Sequence, residues 1–534
     1  MQEEHIDQCE FIPGGLSGVI TIGVSSRMDA DEPEPLLTSL AAHLEEHQLT
    51  DIEVRASGGF GFFSAERLVK VSKHGLPSII YGGVTPDLMA DIVRHHLADG
   101  APVSEAALCQ MPIREDSVDG IPHFKDIAFF GLQQPVVSWR CGHINPERIE
   151  DAFRTGSYGT LETILKQGPK DILSMIETAQ MHGHGGPGSS IVDRWTAVAE
   201  QDEETVLICN ALEVEAGSFK DQWLMESDPH RIIEGMIIAA RAIGARIGYI
   251  VLNPLYTLAK HRLEIAISQA RRHRRLGQGI QGSSVDFDII IRSGPPGYIT
   301  GEETALVSFL SGEAGPHVMP PSGIDRLNDQ PALVANVETF AQLAVLPFGS
   351  DEEGPPPTRL FTLEGTTNTG VVEVEVGTTI RELICDMGAT SEEYIKAVAI
   401  GGHLGGVIPA DLLDTPLAEA SYRWLNIWPG TGLLSVIDQS VSMSEWLGQQ
   451  LQFGAQESCG ACTPCREGME QAHRLMQRLR NGDGQGQDLI LLDQLASYIS
   501  NSSMCGYGQA VPNGISTAIR YFGNELRDQL TGGH

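Results

Sequence analysis

Three closely spaced cysteines suggest metal chemistry near the end of the chain. Cys459, Cys462 and Cys465 stand three positions apart in the stretch ESCGACTPCREGME, and Cys505 follows in NSSMCGYGQ. Three clustered thiolates with one remote thiolate are typical of the ligands of a [4Fe–4S] cluster. Zinc more often takes two separate pairs of ligands. Zinc, a disulfide and an unmetallated group of thiols remain the alternatives.

The other cysteines are isolated along the chain, and we predict them to be small packed side chains. They are Cys9, Cys109, Cys141, Cys209 and Cys385. Nine cysteines, an odd number with no paired framework, favour a reducing compartment. The first ten residues, MQEEHIDQCE, lack the basic and then apolar pattern of a secretory signal. We therefore expect a cytoplasmic protein.

A glycine-rich loop forms a second candidate site. The stretch HGHGGPGSS (182–190) would let a phosphate approach the backbone closely, although such loops are common and the signal alone is weak. Three further segments strengthen the prediction. They are ICNALEVEAGSFKD, DPHRIIEGMIIAARAIGA and SGPPGYITGEETAL.

The charge of the chain limits its partners. The sequence has 36 Lys and Arg against 70 Asp and Glu, a formal net charge of −34. Such a surface offers no counter-charge to nucleic acid or to an anionic membrane. The longest apolar stretch is interrupted by Arg241 and Arg246, so we predict a buried helix and strand there and no direct membrane span.

The elements that must position these residues fall into four units of a multidomain α/β protein. Residues 1–108 alternate strands and helices in a βαββα order, which suits a thioredoxin-like domain, and a linker is predicted over 105–126. Residues 130–347 contain apolar runs typical of buried parallel strands. Residues 358–432 predict a β-grasp-like domain, and we expect only helices over 433–534.

These motifs and their order resemble the FMN-bearing, NADH-oxidising subunit of complex I, which also occurs in soluble hydrogenases and NAD-linked formate dehydrogenases. The resemblance rests on ESCGxCxPCREG with the remote CGxGQ, on GEETAL and on DPHR followed by EGM. It implies a Rossmann-like FMN-binding domain, a β-grasp (SLBB) domain and a helical domain that holds a [4Fe–4S] cluster. The first unit resembles the thioredoxin-like domain that many soluble members carry.

The resemblance also implies roles for individual residues. The flavin phosphate would lie on the glycine loop next to Arg194, which stands at a family lysine. Glu302, Glu303 and Glu215 would act at the flavin and nicotinamide, and the four cysteines would hold the cluster. The remaining cofactor-binding residues are Gly183, Gly185, Gly186, Gly188, Asn210, Glu213, Tyr298, Gly301 and Asn336.

The function implied is an electron relay among NAD(H), FMN and the [4Fe–4S] cluster. NADH delivers two electrons whereas a cubane accepts one, and FMN exchanges either number. The implied partners are other iron–sulfur subunits of an oxidoreductase complex. These are a [2Fe–2S] thioredoxin-like subunit and a catalytic subunit such as a formate dehydrogenase or hydrogenase.

The sequence departs from the family pattern mainly at the nicotinamide site. Ser189 and Ser322 replace aromatic residues, and Met319 replaces a base. A relay that takes electrons from another donor is therefore an alternative, as is an assembly subunit that keeps only the fold. Further departures are His184, Leu212, Pro296 and Ala335.

The [2Fe–2S] cysteines of the first unit are absent, with Ser25, Ser26, Gly59 and Phe63 near their positions. We expect that unit to be a docking module.

Overall fold

The computed structural model describes residues 12–26, 33–111, 117–186, 190–347 and 354–531. Within these ranges the chain forms three five-stranded sheets and a C-terminal group of helices. No helix of the described ranges is long and apolar enough to cross a membrane. The architecture is therefore a multidomain α/β fold, as the alternating apolar runs predict.

The first sheet has the strand order β2-β1-β3-β4-β5, and only the β1–β2 pair is parallel. Its strands are β1 (Gly18–Gly23), β2 (Ile52–Ser57), β3 (Val69–Lys73), β4 (Ser78–Tyr81) and β5 (Ala107–Met111). Its helices are Pro33–Glu46 and Pro86–Asp91, the second continued by a π-helical stretch over Ile92–Ala98. The Thr85 hydroxyl caps the second helix by accepting from the Leu88 amide at 3.2 Å.

The predicted linker over 105–126 is wrong at its start, because β5 lies there and pairs with β4. The strand has five residues, and one of its buried residues is the polar Gln110. The strand therefore lacks the alternation of apolar and polar residues that would predict it from the sequence. Gln110 is 1% exposed and donates through its amide to the carbonyl groups of Val118 and Ile121. The first unit therefore extends beyond residue 108.

The second sheet has the order β8-β7-β6-β10-β9. Its strands are β6 (Val206–Ala211), β7 (Ile247–Leu252), β8 (Asp288–Ser293), β9 (Asp325–Leu327) and β10 (Gln330–Asn336). Four strands are parallel, which confirms the buried parallel strands predicted at β6, β7 and β8, and β9 is antiparallel to β10. The helices before and between these strands are Ala128–Gly131, Ile149–Arg154, Leu161–Lys166, Pro169–Thr178, Val192–Ala199, Lys220–Ser227, Pro229–Ile243, Thr257–Arg272, Glu303–Leu310 and Val337–Leu343.

A buried helix, Pro229–Ile243, forms the core on one side of the second sheet. A Cβ at its Gly235 would lie 1.8 Å from the Phe340 carbonyl oxygen, so only glycine allows this close helix packing. The segment predicted as a buried helix followed by a strand is therefore confirmed. This packing brings the helix Val337–Leu343, and with it the end of β10, into place.

The third sheet has the order β12-β11-β15-β13-β14. Its strands are β11 (Thr358–Glu364), β12 (Gly370–Glu375), β13 (Ile395–Ile400), β14 (Gly406–Pro409) and β15 (Leu433–Asp438), with the helix Glu419–Leu425 before β15. The expectation of helices alone from residue 433 onward is wrong, because β15 pairs with β11 and β13 in the middle of this sheet. The buried residues of β15 are Leu433, Leu434 and Ile437. This spacing also fits one face of a helix.

The last part of the chain is helical. Its helices are Met443–Gln456, Thr463–Arg480, Asp488–Ser502, Gly506–Ala510 and Asn513–Thr531. Buried apolar side chains such as Met469, Leu492 and Ile515 pack these helices together. The two cysteine-bearing loops lie between helices of this group.

The first unit docks on the second through the loops that follow β1 and β2. Ser26 donates to the Glu226 carboxylate from its amide at 3.0 Å and from its hydroxyl at 2.5 Å. The Trp223 indole donates to the Gly59 carbonyl at 3.2 Å. A Cβ at Gly58 would lie 2.1 Å from the hydroxyl oxygen of Ser227. The positions predicted to lack cluster cysteines therefore form a packed intramolecular contact.

The isolated cysteines are packed in the three sheet-containing units. Cys109, Cys141 and Cys209 are buried, and Cys385 is partly buried. Cys9 lies outside the described residues.

Candidate functional site

Two asparagines meet where the strand order of the second sheet reverses. β6 is the first strand of this sheet along the chain; β7 and β8 follow on one side of it, and β10 lies on the other. Asn210 and Asn336 are register partners near the carboxyl ends of β6 and β10. In open α/β sheets a ligand binds outside the carboxyl ends of the strands at such a reversal. We call this place the crevice.

The glycine loop lies next to the crevice. Gly185 has φ of 147°, and a Cβ built on it would lie 3.7 Å from Asn336. Beyond its chain neighbours, no atom of the described residues lies within 4 Å of a Cβ built on Gly186, and the Gly186 carbonyl accepts from the Gly430 amide at 3.2 Å. The backbone is thus open to a phosphate on one side and held by the third unit on the other. Gly183 belongs to the described part of this loop, whereas Gly188 and Ser189 lie outside the described residues.

A buried ion network fixes the Asn336 side chain. Lys220 Nζ lies 2.7 Å from Asp221 Oδ1, 2.9 Å from Glu338 Oε2 and 3.0 Å from Asn336 Oδ1. The amide of Asn336 donates to Asp221 Oδ2 at 2.6 Å. Burial opposes the charge of Lys220, but the surrounding carboxylates raise its pKa above the usual value. One buried cation and two carboxylates therefore fix the orientation of the Asn336 side chain beside the crevice.

His184 extends this network under the glycine loop. Its Nε2 lies 2.8 Å from Gln342 Oε1, and its Nδ1 lies 3.3 Å from Glu338 Oε1. Burial lowers the pKa of His184 to about 4, so the imidazole is neutral at neutral pH. Burial acts to raise the pKa of Glu338, but the facing groups His184, Lys220 and Arg359, when positively charged, lower it to about 2. Glu338 is thus the counter-ion of the buried lysine.

Arg194 and Glu303 form an ion pair at the side of the crevice. Arg194 Nη1 donates to Glu303 Oε2 at 2.6 Å, and both side chains are partly exposed. The Nε of Arg194 is buried and has no hydrogen-bond partner among the described residues. Burial lowers the pKa of Arg194 below its usual value. A buried donor without a partner is unfavourable, so this guanidinium is suited to an added anion.

Glu302 connects the crevice with the second cysteine loop. Its Oε2 caps the helix Glu303–Leu310 by accepting from the Ala305 amide at 3.1 Å and from the Thr304 hydroxyl at 2.6 Å. Its Oε1 accepts from the Gly506 amide at 3.2 Å. Both oxygens are therefore occupied by protein, which makes Glu302 a structural link in this arrangement.

Glu213 is also fully occupied by protein groups. It accepts from the amides of Asp221 and Gln222 at 3.1 and 2.8 Å and from the Ser218 hydroxyl at 2.9 Å. Burial, together with the nearby Asp221, raises the pKa of Glu213 to about 7. These contacts hold the start of the helix Lys220–Ser227, whose first two residues belong to the ion network.

The cysteine loops meet at the starts of two helices. Cys462 immediately precedes the helix Thr463–Arg480, Cys465 lies in its first turn, and Cys505 precedes the helix Gly506–Ala510. A Cβ on Gly508 would lie 3.3 Å from the Cβ of Cys465, so the two loops touch. Cys459 is the exposed member of the set. In the described ranges, no three His, Cys, Asp or Glu side chains converge on a single metal ion.

Burial disfavours the ionised form of the two buried thiols, and nearby polar groups oppose this in part. Burial raises the pKa of the Cys505 thiol to about 12, and the Gly508 and Tyr507 amides oppose this. Burial also raises the pKa of Cys465, whose Sγ lies 3.3 Å from the Ser458 hydroxyl. Metal ligation requires thiolates, and the amino end of the helix Thr463–Arg480 stabilises negative charge.

Tyr298 lies between the crevice and both cysteine loops. Its amide donates to Glu457 Oε2 at 2.9 Å, two positions before Cys459. Its ring centroid lies 5.1 Å from that of Phe453 and 5.9 Å from that of Tyr507. The crevice and the thiols therefore belong to one packed unit.

Two family profiles match the regions that contain these features. One, described as the Nuo51 FMN-binding domain, matches residues 176–345. The other, described as the NADH-ubiquinone oxidoreductase-F iron-sulfur binding region, matches residues 445–529.

Comparisons with individual relatives decide the family. The chain is 33% identical over 406 residues to the NADP-reducing hydrogenase subunit HndC of Solidesulfovibrio fructosivorans, covering 74% of this chain and 83% of that protein. It is 32% identical over 407 residues to the NADH-quinone oxidoreductase F-subunit of Escherichia coli (strain K12), covering 73% and 92%. The chain belongs to the NADH-quinone oxidoreductase F-subunit family.

A solved structure shows the same fold. The NAD+-reducing [NiFe]-hydrogenase in the H2-reduced state aligns with a TM-score of 0.62 and 22% identity over 100% of this chain and 88% of that one. As a member of the F-subunit family, the protein is part of an oxidoreductase. The predicted family and the predicted FMN and [4Fe–4S] cofactors are confirmed.

The residues present fit both cofactors of this family. Gly186 offers open backbone, and Arg194 has a buried donor without a described partner, as an anionic phosphate requires. The thiols meet at two helix starts. At the departure Leu212, the side chain is 1% exposed and packs in an apolar cluster with Val251. Position 212 therefore offers no carboxylate to a bound flavin.

Several residues of the site were missed from the sequence. Lys220 and Asp221 end the quoted segment ICNALEVEAGSFKD, yet nothing in their spacing shows that they face β10. His403 comes from the third unit and contacts Glu215 at 2.6 Å. The one local signal was the adjacent Lys and Asp. Such groups are rarely buried unless they are paired.

Proposed function

We propose that the protein passes electrons between NAD(H), FMN bound in the crevice and a [4Fe–4S] cluster held by the four cysteines. The observation that supports this best is the direct connection between the two places: the Gly506 amide donates to Glu302, and Tyr298 contacts Tyr507. FMN, when bound, exchanges a hydride with NAD(H) and single electrons with the cluster. The contacts between the crevice and the cysteine loops would keep the distance between FMN and the cluster short and fixed.

The FMN phosphate would lie on the glycine loop beside Arg194. Gly183, Gly185 and Gly186 supply backbone, with Gly188 continuing the same loop in the sequence. Asn210 and Gly301, which share a hydrogen bond of 2.9 Å, form the wall next to the ring system. Glu303, which is paired with Arg194, would lie on the nicotinamide side of the site. Tyr298, Glu213, Glu215, Glu302 and Asn336 shape the crevice through their contacts.

The cluster would take one thiolate from each of Cys459, Cys462, Cys465 and Cys505. In a cubane each cysteine ligates a different iron, so the sulfurs need not converge on one ion. This agrees with the arrangement of the described side chains better than a single zinc ion does. Cys459, the exposed member of the set, would place its edge of the cluster nearest to the surface.

We assign the four units as follows. The first sheet, in residues 1–108 and continuing through β5, is a thioredoxin-like domain without its own cluster. Residues 130–347 are a Rossmann-like FMN-binding domain. The third sheet is a β-grasp (SLBB) domain that extends from 358 through β15, and the remainder of 433–534 is the helical cluster-binding domain. The strand orders and the parallel β11–β15 pair support these assignments.

The partners would be other iron–sulfur subunits of a cytoplasmic oxidoreductase complex. A [2Fe–2S] thioredoxin-like subunit and a catalytic subunit, such as a formate dehydrogenase or hydrogenase, would complete the chain of redox centres. The relatives named above are themselves subunits of a hydrogenase and of a quinone oxidoreductase. The free state of the described cysteines supports a reducing compartment.

A second candidate function keeps both cofactors but uses another electron donor. Ser322 is exposed, its hydroxyl accepts from the Ile324 amide at 3.3 Å, and it provides no aromatic face for a nicotinamide. Met319 beside it provides no charge. Each missing stacking contact removes about 1 kcal/mol of binding free energy.

Anaerobic purification with partner subunits tests both candidates. We expect stoichiometric FMN with four irons and four sulfides per chain, in line with the cubane. NADH and NADPH are then titrated while flavin bleaching is followed. Bleaching by a dinucleotide supports the first function, and bleaching only by a partner protein supports the second. Protein reconstituted without oxygen that holds neither FMN nor iron would overturn both.

A further inference from the structure

Both oxygens of the buried Glu215 carboxylate are held by other parts of the chain. Oε1 lies 2.6 Å from His403 Nδ1, and Oε2 accepts from the Tyr298 hydroxyl at 2.6 Å and from the His403 amide at 3.0 Å. Because a carboxylate oxygen only accepts, the His403 ring carries its proton on Nδ1. A Cβ on Gly402 would lie 2.1 Å from Glu215 Cδ, so the loop approaches as closely as glycine allows.

The imidazole that holds Glu215 is itself packed on the cluster-binding domain. His403 lies in the turn Gly402–Leu404 between β13 and β14. Its ring is stacked on Phe453 with centroids 3.7 Å apart and an interplanar angle of 26°. Phe453 belongs to the helix Met443–Gln456, which leads into the first cysteine loop. One side chain thus connects three units.

The other end of this connection is the wall of the crevice. Tyr298 begins the turn that ends at Gly301, whose carbonyl accepts from Asn210 at 2.9 Å. A Cβ on Gly301 would lie 2.8 Å from Val214, the residue before Glu215. Any rotation of the Glu215 carboxylate therefore displaces the turn that lines the crevice.

We propose that His403 is a positioning residue that holds Glu215 against Tyr298, and thereby sets the crevice wall relative to the cysteine loops. This inference rests on the proposed function, since it assumes that FMN binds in the crevice. A buried carboxylate without its donor seeks another partner, because an unsatisfied buried charge is strongly unfavourable. Without the imidazole donor of His403, Oε1 of Glu215 loses its partner, while Oε2 keeps the Tyr298 hydroxyl and the His403 amide. The unpaired negative charge then lies beside the crevice wall and weakens FMN binding.

Two substitutions separate the hydrogen bond from the stacking. His403→Asn keeps a donor near the Nδ1 position and loses the ring, whereas His403→Phe keeps the ring and loses the donor. The dissociation constant of FMN is measured by flavin fluorescence on flavin-depleted full-length protein. We expect roughly tenfold weaker binding for His403→Phe, the loss of one hydrogen bond to a charged group, and a change within about twofold for His403→Asn.

A double-mutant cycle with Glu215→Gln tests whether the two residues act together. The expected result is that His403→Phe has no further effect on FMN affinity once the Glu215 charge is absent. Unchanged affinity in His403→Phe, equal losses in both His403 variants, or additive losses in the cycle would each overturn the inference. His403→Leu replaces His403→Phe if the latter does not fold.

The same measurement separates this inference from the proposed function. A wild-type protein that binds no FMN overturns the proposed function, and the inference with it. A wild-type protein that binds FMN, with variants that behave alike, overturns the role of His403 alone. The EPR spectrum of the reduced cluster gives a second readout, expected to change in His403→Phe and to match wild type in His403→Asn.

Discussion

Glu302 Oε1 accepts a hydrogen bond of 3.2 Å from the amide of Gly506, the residue directly after Cys505. The same carboxylate caps the helix that lines the crevice. One side chain therefore fixes the start of a crevice helix and the backbone next to Cys505, a proposed cluster ligand. This contact directly links the crevice with the second cysteine loop.

Removal of this link is expected to disturb both sites. Glu302→Ala removes a helix cap, which typically lowers the free energy of unfolding by about 1 kcal/mol, and leaves the Gly506 amide without its acceptor. The reduction potential and EPR signal of the cluster are expected to change with it. Glu313→Ala, at an exposed position just after the same helix, is the control. A wild-type cluster spectrum in Glu302→Ala would show that the link has no effect on the cluster.

The cluster ligands are tested by iron and sulfide content. Cys505→Ser is expected to lose the [4Fe–4S] EPR signal and most of the bound iron, because a hydroxyl replaces one of four thiolates. Cys385→Ser, in the third unit, is the matched control and is expected to keep the full cluster. Retention of a complete cluster in Cys505→Ser would exclude Cys505 as a ligand.

Arg194 is expected to contribute to FMN affinity. Arg194→Gln removes a charge-assisted hydrogen bond, so the dissociation constant of FMN should rise roughly 10- to 100-fold. Arg194→Lys keeps the charge and should recover much of the loss. Arg423→Gln removes an exposed arginine paired with Glu419 and should leave FMN binding unchanged. Fluorescence titration of flavin-depleted protein measures all three variants.

Acid is expected to destabilise the fold through three buried histidines. Burial lowers the pKa values of His96, His184 and His230 from 6.5 to about 4. The unfolded chain takes up these protons below pH 6.5, whereas the folded chain does so only near pH 4. Their contribution to the free energy of unfolding is therefore highest above pH 6.5, where these histidines are neutral in both states, and it decreases as the pH falls toward 4.

His184→Gln separates one of these contributions. The Gln amide does not titrate between pH 6.5 and 4. The free energy of unfolding should therefore fall less over this pH range than in the wild type, by up to about 3 kcal/mol, and the Tm should decrease less steeply. His261→Gln, at an exposed position, should leave the slope unchanged. A slope in His184→Gln equal to that of the wild type would contradict the buried neutral imidazole.

Much of the fold follows from local patterns. The apolar runs at β6, β7 and β8 indicate buried parallel strands, because both faces of such a sheet are covered. β5 was missed because the buried Gln110 interrupts its apolar pattern, and β15 was missed because its buried positions also fit a helix. The pairing of both strands depends on partners elsewhere in the chain. Sheet membership of such strands is decided by the tertiary structure.

The site divides in the same way. The cysteine spacing and the glycine loop carry their chemistry within a few consecutive residues, so the sequence by itself indicated an iron–sulfur cluster and a phosphate site. Contacts such as Lys220 with Glu338 or His403 with Glu215 join residues more than a hundred positions apart. Only the folded chain brings them together, since buried charges are stable solely where packing supplies a partner, and no local pattern encodes which partner that is.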